Sequence, residues 1–137
     1  MLPDAVRALI LDEQRRQNGR FIEAADVDAY LAKLADRAEV LAASAADRCR
    51  GLVAFYCNDE SSRQAYITLV VVHPNDRGTG LGRTLVRAVL DIARHRGFTS
   101  CRLEVAKDNA AALTVYASLG FGRVEDRGRK DLLEVRL

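Results

Sequence analysis

Apolar residues recur at helical spacing in four stretches of the chain, and the segments between them read as strands and turns. In the first stretch, Asp4 to Gln17, Val6, Leu9, Ile10 and Glu13 mark an inner edge and Asn18-Gly19 ends the pattern. Asp26 can cap a second helix with the stripe Val27, Tyr30, Leu31 and Leu34. Ala38 to Ala45 then reads as a strand, with a turn at Asp47-Arg48-Cys49-Arg50, a second strand at Gly51–Tyr56, and a polar loop from Asn58 to Arg63. Ala65-Tyr66-Ile67-Thr68-Leu69-Val70-Val71-Val72 is β-branched and aromatic, the composition of a buried strand, and His73-Pro74-Asn75-Asp76 stops it because proline cannot donate to a ladder. Short connections predict an antiparallel meander of these three strands.

After the meander, Leu81, Leu85, Val86, Val89, Leu90, Ile92 and Ala93 repeat at helical spacing up to the break at Gly97. Ser100–Val105 is a further strand, Lys107-Asp108-Asn109 turns the chain, and a helix runs from Ala110 to Leu119 before Gly120-Phe121. Asp108 or Asn109 can cap that helix, and Gly120 suits a left-handed position after it. The tail resumes β character at Arg123-Val124-Glu125, turns near Gly128, and alternates through Leu133–Leu137. The pattern predicts a mixed α/β sheet flanked by helices, with no strand before the first helix.

Between strand and helix stands Arg77-Gly78-Thr79-Gly80-Leu81-Gly82. A glycine-rich turn that opens a helix aims free backbone N–H groups and a positive dipole end at one point, so an anion, above all a phosphate, is expected there. A Walker A loop needs Gly-Lys-Ser/Thr after its spacer, and no such run exists. A dinucleotide fingerprint begun at Gly78 or Gly80 needs its third glycine where Arg83 or Leu85 stands. Arg77, Gly80 and Gly82 do satisfy R-x-x-G-x-G.

That loop resembles the acetyl-CoA pyrophosphate loop of the GCN5-related N-acetyltransferase (GNAT) superfamily. Downstream, Asn109, Tyr116 and Gly120-Phe121 fall in the family's order: strand, Asn, a helix holding Tyr, then Gly-Phe. The resemblance covers about Ala38 to Phe121. It implies a single GNAT domain, with 1–37 a helical substrate-side segment, 38–121 the sheet and acetyl-CoA-binding core, and 122–137 a closing hairpin. The missing early strand makes this a compact version of the fold.

The implied activity is direct transfer of acetyl from acetyl-CoA to an amine through a tetrahedral intermediate. By the same resemblance, the amides from Arg77 through Gly78, Thr79, Gly80, Leu81 and Gly82 to Arg83 cradle the pyrophosphate. The edge at Val70, Val71 and Val72 pairs with the pantetheine arm where this strand splays from Ser100–Val105, and an N–H near Val71 faces the oxyanion. Asn109 hydrogen-bonds the pantetheine arm, and Tyr116 is the general acid that protonates the thiolate. The family's usual Glu on the strand before the loop is replaced by Thr68, which cannot take a proton at neutral pH. His73 has a suitable intrinsic pKa but sits in a turn before Pro74; a water-relayed proton or a substrate amine that arrives partly deprotonated is expected, with Glu104 on the neighbouring strand the best named candidate base.

Charge and cysteine content narrow the reading. The 21 basic and 19 acidic residues provide no strong field for nucleic acid, and no apolar run approaches the roughly 20 residues needed to span a bilayer. Residues 1–70 carry 9 basic and 11 acidic side chains and residues 71–137 carry 12 and 8, so the loop lies in the positive half, with Arg77, Arg83 and Arg87 clustered near it. Met1-Leu2-Pro3-Asp4 lacks the basic start of a signal peptide, and Cys49, Cys57 and Cys101 share no metal-ligand spacing. A cytoplasmic protein with reduced thiols and no metal is expected. Substrate recognition is expected from Gln14–Asp28, which mixes Arg15, Arg16, Arg20, Phe21, Glu23 and Asp26, and from the closing hairpin, whose strands often mediate homodimers in similar proteins. The segments Tyr30–Leu34 and Ala65–Val72 are similar to those of GNAT proteins of surface-polysaccharide or sugar-nucleotide pathways, which suggests a small amine such as an amino sugar. A protein N-terminal or lysine acetyltransferase and a catalytically idle acyl-CoA-binding module are the alternatives.

Overall fold

The computed structural model describes all 137 residues. Two helices, α1 (Asp4–Arg16) and α2 (Val27–Arg37), precede the meander β1 (Glu39–Ala45), β2 (Arg48–Tyr56) and β3 (Gln64–Val72). Then come α3 (Leu81–His95), β4 (Ser100–Ala106), α4 (Ala110–Ser118) and the hairpin β5 (Gly122–Arg127) and β6 (Lys130–Arg136). The six strands lie in the order β1-β2-β3-β4-β6-β5. Only β3 and β4 run parallel; their crossover is α3, while every other neighbour is antiparallel. The element order and the meander are those the hydrophobic pattern predicts, and the mixed, mostly antiparallel sheet flanked by helices is the fold the family resemblance implies; α1 is the first element of these 137 residues.

Each face of the sheet has its own apolar cluster. On one face, Leu85, Val86, Val89 and Ala93 of α3 and Tyr116 of α4 pack on Val53, Phe55, Ile67, Leu103 and Val105. On the other, Val6, Leu9 and Ile10 of α1 and Leu31 and Leu34 of α2 cover Leu52, Ala54, Leu69 and Val71. The stripes read at i, i+3 and i+4 spacing are the buried ones. Asp26 Oδ1 accepts from the Ala29 N–H at 3.0 Å, and of the two candidate caps of α4 Asn109 is the one used, accepting from Ala112 N–H at 3.2 Å. Gly97 and Gly120 follow their helices at φ of 80° and 94°, a region that costs other residues strain.

Two boundaries differ from the sequence expectation. The expected turn at Asp47–Arg50 is confined to Ala46-Asp47, and β2 already begins at Arg48. Arg48, Cys49 and Arg50 alternate half-buried, buried and half-buried, and the two arginines turn toward Asp76. The last strand starts at Lys130, because a ladder with β4 from Ala106↔Lys130 to Ser100↔Arg136 overrides the polar composition of its first residues.

Asp76, at the end of the turn after β3, is 7% exposed. It accepts from Arg48 Nη1 at 2.6 Å and from Arg50 Nε at 2.9 Å, and these two hydrogen bonds hold its carboxyl below the usual range. The glycine-rich segment is thereby tied to β2 at the residue where it starts. With its pKa depressed on folding, Asp76 stabilises the fold fully above its unfolded pKa of about 4, and the contribution fades as pH falls through the folded value. Melting temperatures of Asp76→Asn and the parent chain should therefore differ most at neutral pH and converge on acidification below about pH 4. Parallel pH profiles would remove Asp76 from that role.

Candidate active site

The parallel pair β3–β4 is in register only from Gln64↔Ser100 to Ile67↔Leu103. Beyond Ile67 each strand keeps its outer partner: β3 stays paired with β2 as far as Val72↔Gly51, and β4 with β6 as far as Ala106↔Lys130. The two strands therefore fork, leaving the inner edge of β3 from Thr68 to Val72 without a strand partner. A β-bulge sits at the fork. Ala54 pairs with Leu69 but Phe55 pairs with Ile67, so Thr68 is the extra residue. It transfers the buried side chains of β3 from one face to the other: Ile67 packs under α3, whereas Leu69 and Val71 pack under α1 and α2.

A cavity of about 980 Å³ occupies the fork. Val70, Val71 and Val72 form one wall, and Leu103, Glu104 and Val105 the other. The glycine loop closes one end and α4 the roof, with Asn109 and Tyr116 on the lining. Of the residues the sequence assigns to acetyl-CoA binding and catalysis, only Thr79 does not line the cavity; its Oγ1 donates to Asp76 O at 2.5 Å and secures the turn.

The loop has room for a bulky anion. Gly78 and Gly80 have φ of 76° and 84°, and a Cβ built on either meets nothing within 4 Å. Gly80 is the left-handed residue at the start of α3, so the first amides of that helix are directed into the cleft. Arg77 Nη2 donates to Glu13 Oε1 at 2.8 Å and its Nε to Val72 O at 3.3 Å, so this arginine braces the loop against α1 and β3. Glu13 is 8% exposed; burial pushes its carboxyl up, but hydrogen bonds from Gln17 and Arg16 and the charge of Arg77 bring it below the usual range. Arg83 Nε donates to Ser118 Oγ at 3.1 Å and joins α3 to α4. Close approach of α3 to the sheet depends on Gly51, where a Cβ would lie 3.0 Å from Leu81 Cδ2 and 3.1 Å from Val71 O.

Tyr116 is 8% exposed, with its ring edge-on to Phe121 at 5.8 Å and no hydrogen-bond partner in the protein for its hydroxyl. Burial pushes its pKa up to about 12, so the phenol is protonated throughout the neutral range. Asn109 uses its carbonyl oxygen as the cap and its amide nitrogen has no protein partner.

Glu104 lies on the opposite face from Tyr116, since Leu103 and Val105 take the α3–α4 side. Its Oε1 accepts from Tyr66 Oη at 3.4 Å and its Oε2 from Arg127 Nη1 at 3.3 Å. Burial, and then the charge of Glu104, push Tyr66 up to about 12. Thr68 Oγ1 is 3.0 Å from Tyr30 Oη of α2. His73 has the structural place expected of it, its Nδ1 accepting from Asn75 N–H at 3.1 Å. Cys49, Cys57 and Cys101 are all free and buried, and burial pushes Cys101 up to about 12. No group of three or more His, Cys, Asp or Glu side chains is placed to hold a metal, and no helix is long and apolar enough to cross a membrane.

The sequence reading missed the bracing set of Glu13 with Arg77 and Asp76 with Arg48 and Arg50. A buried carboxylate announces itself only when its partners, 26 to 64 residues away, are known to be near. It also missed Tyr30 and Tyr66, which it placed in an apolar stripe and a strand without a role.

The sequence matches the acetyltransferase (GNAT) family over residues 6–121. It is 38% identical over 84 residues to a mycothiol acetyltransferase of Actinosynnema mirum, a match that covers 61% of this chain and 28% of the relative. Over 83 residues it is 34% identical to N-alpha-acetyltransferase 30 of Schizosaccharomyces pombe, covering 58% of this chain and 55% of that protein. The chain thus spans less than a third of the mycothiol acetyltransferase and about half of the second relative. Among solved structures, yncA of Salmonella typhimurium with its cofactor acetyl-CoA superposes with a TM-score of 0.75 at 23% identity, covering 98% of this chain and 88% of that one. PaiA N-acetyltransferase from Thermoplasma acidophilum, in complex with coenzyme A, gives 0.68 at 16% identity, covering 100% and 81%. With a forked sheet, a glycine loop at the head of α3 and a match across most of its length, the chain belongs to the GNAT acetyltransferase family.

Proposed function

We propose that this protein is an acetyl-CoA-dependent N-acetyltransferase that acts directly on a primary amine of a small molecule, with an amino sugar the acceptor that the sequence resemblance favours. The observation that carries this reading is the fork itself, with an anion-binding loop at one end and a buried, protonated tyrosine on its lining. When bound, acetyl-CoA supplies an activated thioester. The residues fit such a molecule: open, left-handed glycines for the pyrophosphate, a free strand edge for an amide-containing arm, and an unpartnered Asn109 amide beside it.

Three tasks then fall to the chain. The edge of β3 at Val70, Val71 and Val72 orients the acyl donor, with an N–H near Val71 facing the oxygen that becomes negative. Tyr116 keeps a proton at Oη in an apolar setting and donates a hydrogen bond as charge gathers on sulfur. An ordinary thiol has a pKa of about 8.5, so the tyrosine acts by sharing its proton with the leaving group and stays protonated at rest. Glu104, at the fork on the other face, takes the proton released by the attacking amine. The likeness to N-alpha-acetyltransferase 30 supports a second reading, in which the amine is a protein N-terminus.

Calorimetry with acetyl-CoA, desulfo-CoA and NAD tests the donor first. Micromolar acetyl-CoA binding with no NAD binding is expected; no CoA binding overturns the assignment. Gly80→Val forces a β-branched residue into φ of 84° and should weaken acetyl-CoA binding by about tenfold or more. Tyr116→Phe should lower kcat by about 100-fold while leaving the acetyl-CoA Kd within about twofold, the range expected of one general acid. Unchanged turnover would take Tyr116 out of that role.

A further inference from the structure

A second cavity, of about 740 Å³, meets the fork at a single residue, Thr68. It is lined by Tyr30, Lys33, Asp36 and Arg37 of α2 and by Tyr56 at the end of β2. Tyr56 pairs with Tyr66 across β2 and β3, so three of the four tyrosines in the chain converge on this side of the fork, with only Tyr116 on the other. The hydroxyl pair Tyr30–Thr68, 3.0 Å apart, stands where the two cavities meet.

The charges along this groove are ordered. At its inner end stands Thr68, which also lines the fork together with Glu104, the acceptor of the Tyr66 hydroxyl. Moving outward along α2, Tyr30, Lys33 and Arg37 recur at helical spacing on the face that lines the cavity. At 1.5 Å per residue, Lys33 stands about 5 Å and Arg37 about 10 Å beyond Tyr30. Lys33 makes no ion pair, and Arg37 has only a 3.9 Å contact with Asp36, in which both side chains are well exposed. The outer end is therefore net positive and poorly neutralised. On the far side of the main cavity, Glu23 of the α1–α2 connection reaches Arg129 at 3.5 Å and Lys130 at 3.9 Å, so ion pairs span that approach.

We propose that the second cavity is an acceptor subsite, and that it selects primary amines carrying an anionic group at the far end of a short carbon skeleton. The amine end lies at Thr68 and Glu104, the tyrosyl rings cover the connecting carbons, and Lys33 with Arg37 takes the carboxylate or phosphate. The site deepens the transferase reading and rests on it for its role, but its ligand preference can be read without turnover. A carboxylate-tailed amine and an amino sugar phosphate share the required chemistry.

Two matched pairs of probes separate these sources: 6-aminohexanoate against hexylamine, and glucosamine 6-phosphate against glucosamine. Each is titrated by calorimetry into the full chain, with acetyl-transfer kcat/KM measured alongside, for the parent and for Lys33→Glu. In at least one pair the anionic member should bind about fivefold or more tightly than its neutral partner, and Lys33→Glu should abolish that advantage, with the acetyl-CoA Kd unchanged. The pair that shows the advantage identifies the carboxylate or the sugar phosphate. No anionic advantage in either pair, or an advantage that survives Lys33→Glu, overturns the subsite. Failure of the parent to bind acetyl-CoA would instead sink the transferase reading, while the probe titrations still decide the subsite.

Discussion

Everything distinctive about this molecule follows from four residue pairs of parallel sheet and no more. Between Gln64↔Ser100 and Ile67↔Leu103 the sheet is continuous; past that point β3 and β4 are each held only from outside. Past the fork the inner edges of β3 and β4 present backbone groups that no strand satisfies, and such groups pair with whatever hydrogen-bonding partner fits between them. Thr68 sits at the vertex as the extra residue of a bulge, and the bulge turns the apolar side chains of β3 from one core to the other. Leu69 and Val71 are thereby anchored under α1 and α2, while Leu103 and Val105 remain anchored under α3 and α4. The two strands are thus anchored toward opposite cores, and the anchoring sets the gap between them.

An open cleft needs a loop that keeps its shape, and glycines alone cannot supply that, since each loses more freedom on ordering than other residues do. The order comes from ion pairs at the start of the loop. Asp76 is gripped by Arg48 and Arg50, and Arg77 by buried Glu13, so both residues that precede Gly78 are fixed to the body of the fold. Surface ion pairs contribute little as a rule, yet here the carboxylates are largely withdrawn from water and receive two or more donors each. Their effect is positional. The glycines keep the open conformations that leave space for an anion, and the amides of α3 keep their direction.

Much of this was legible in the sequence, for reasons that can be named. Helix stripes, the Asp26 and Asn109 caps, the meander and the glycine loop depend on local periodicity and on backbone chemistry, both of which sequence spacing reports directly. The splay of the strands was available only through family resemblance, because nothing in Ala65–Val72 distinguishes its paired half from its unpaired half. The start of β2 was misread since Arg48 and Arg50 look like turn residues until Asp76 is known to lie across from them. Gly51 gave no signal either. It looks like an ordinary strand start, but its missing Cβ admits Leu81 and so sets how near the head of α3 comes to the sheet.

The sequence resemblance names Tyr116 and Glu104 together, but the sheet face each one takes was not legible in the chain, and that arrangement suits the acyl transfer proposed for the fork. Tyr116 belongs to the α3–α4 core, where desolvation keeps it neutral; Glu104 is exposed on the other face, between Tyr66 and Arg127. In an unbroken sheet, groups on opposite faces are screened from each other by the strands between them, and no small ligand touches both. Opening β3 from β4 removes that screen over the length of a few residues. In the proposed reaction a carbonyl in the gap is approached by the amine from the Glu104 face while its leaving group departs toward Tyr116.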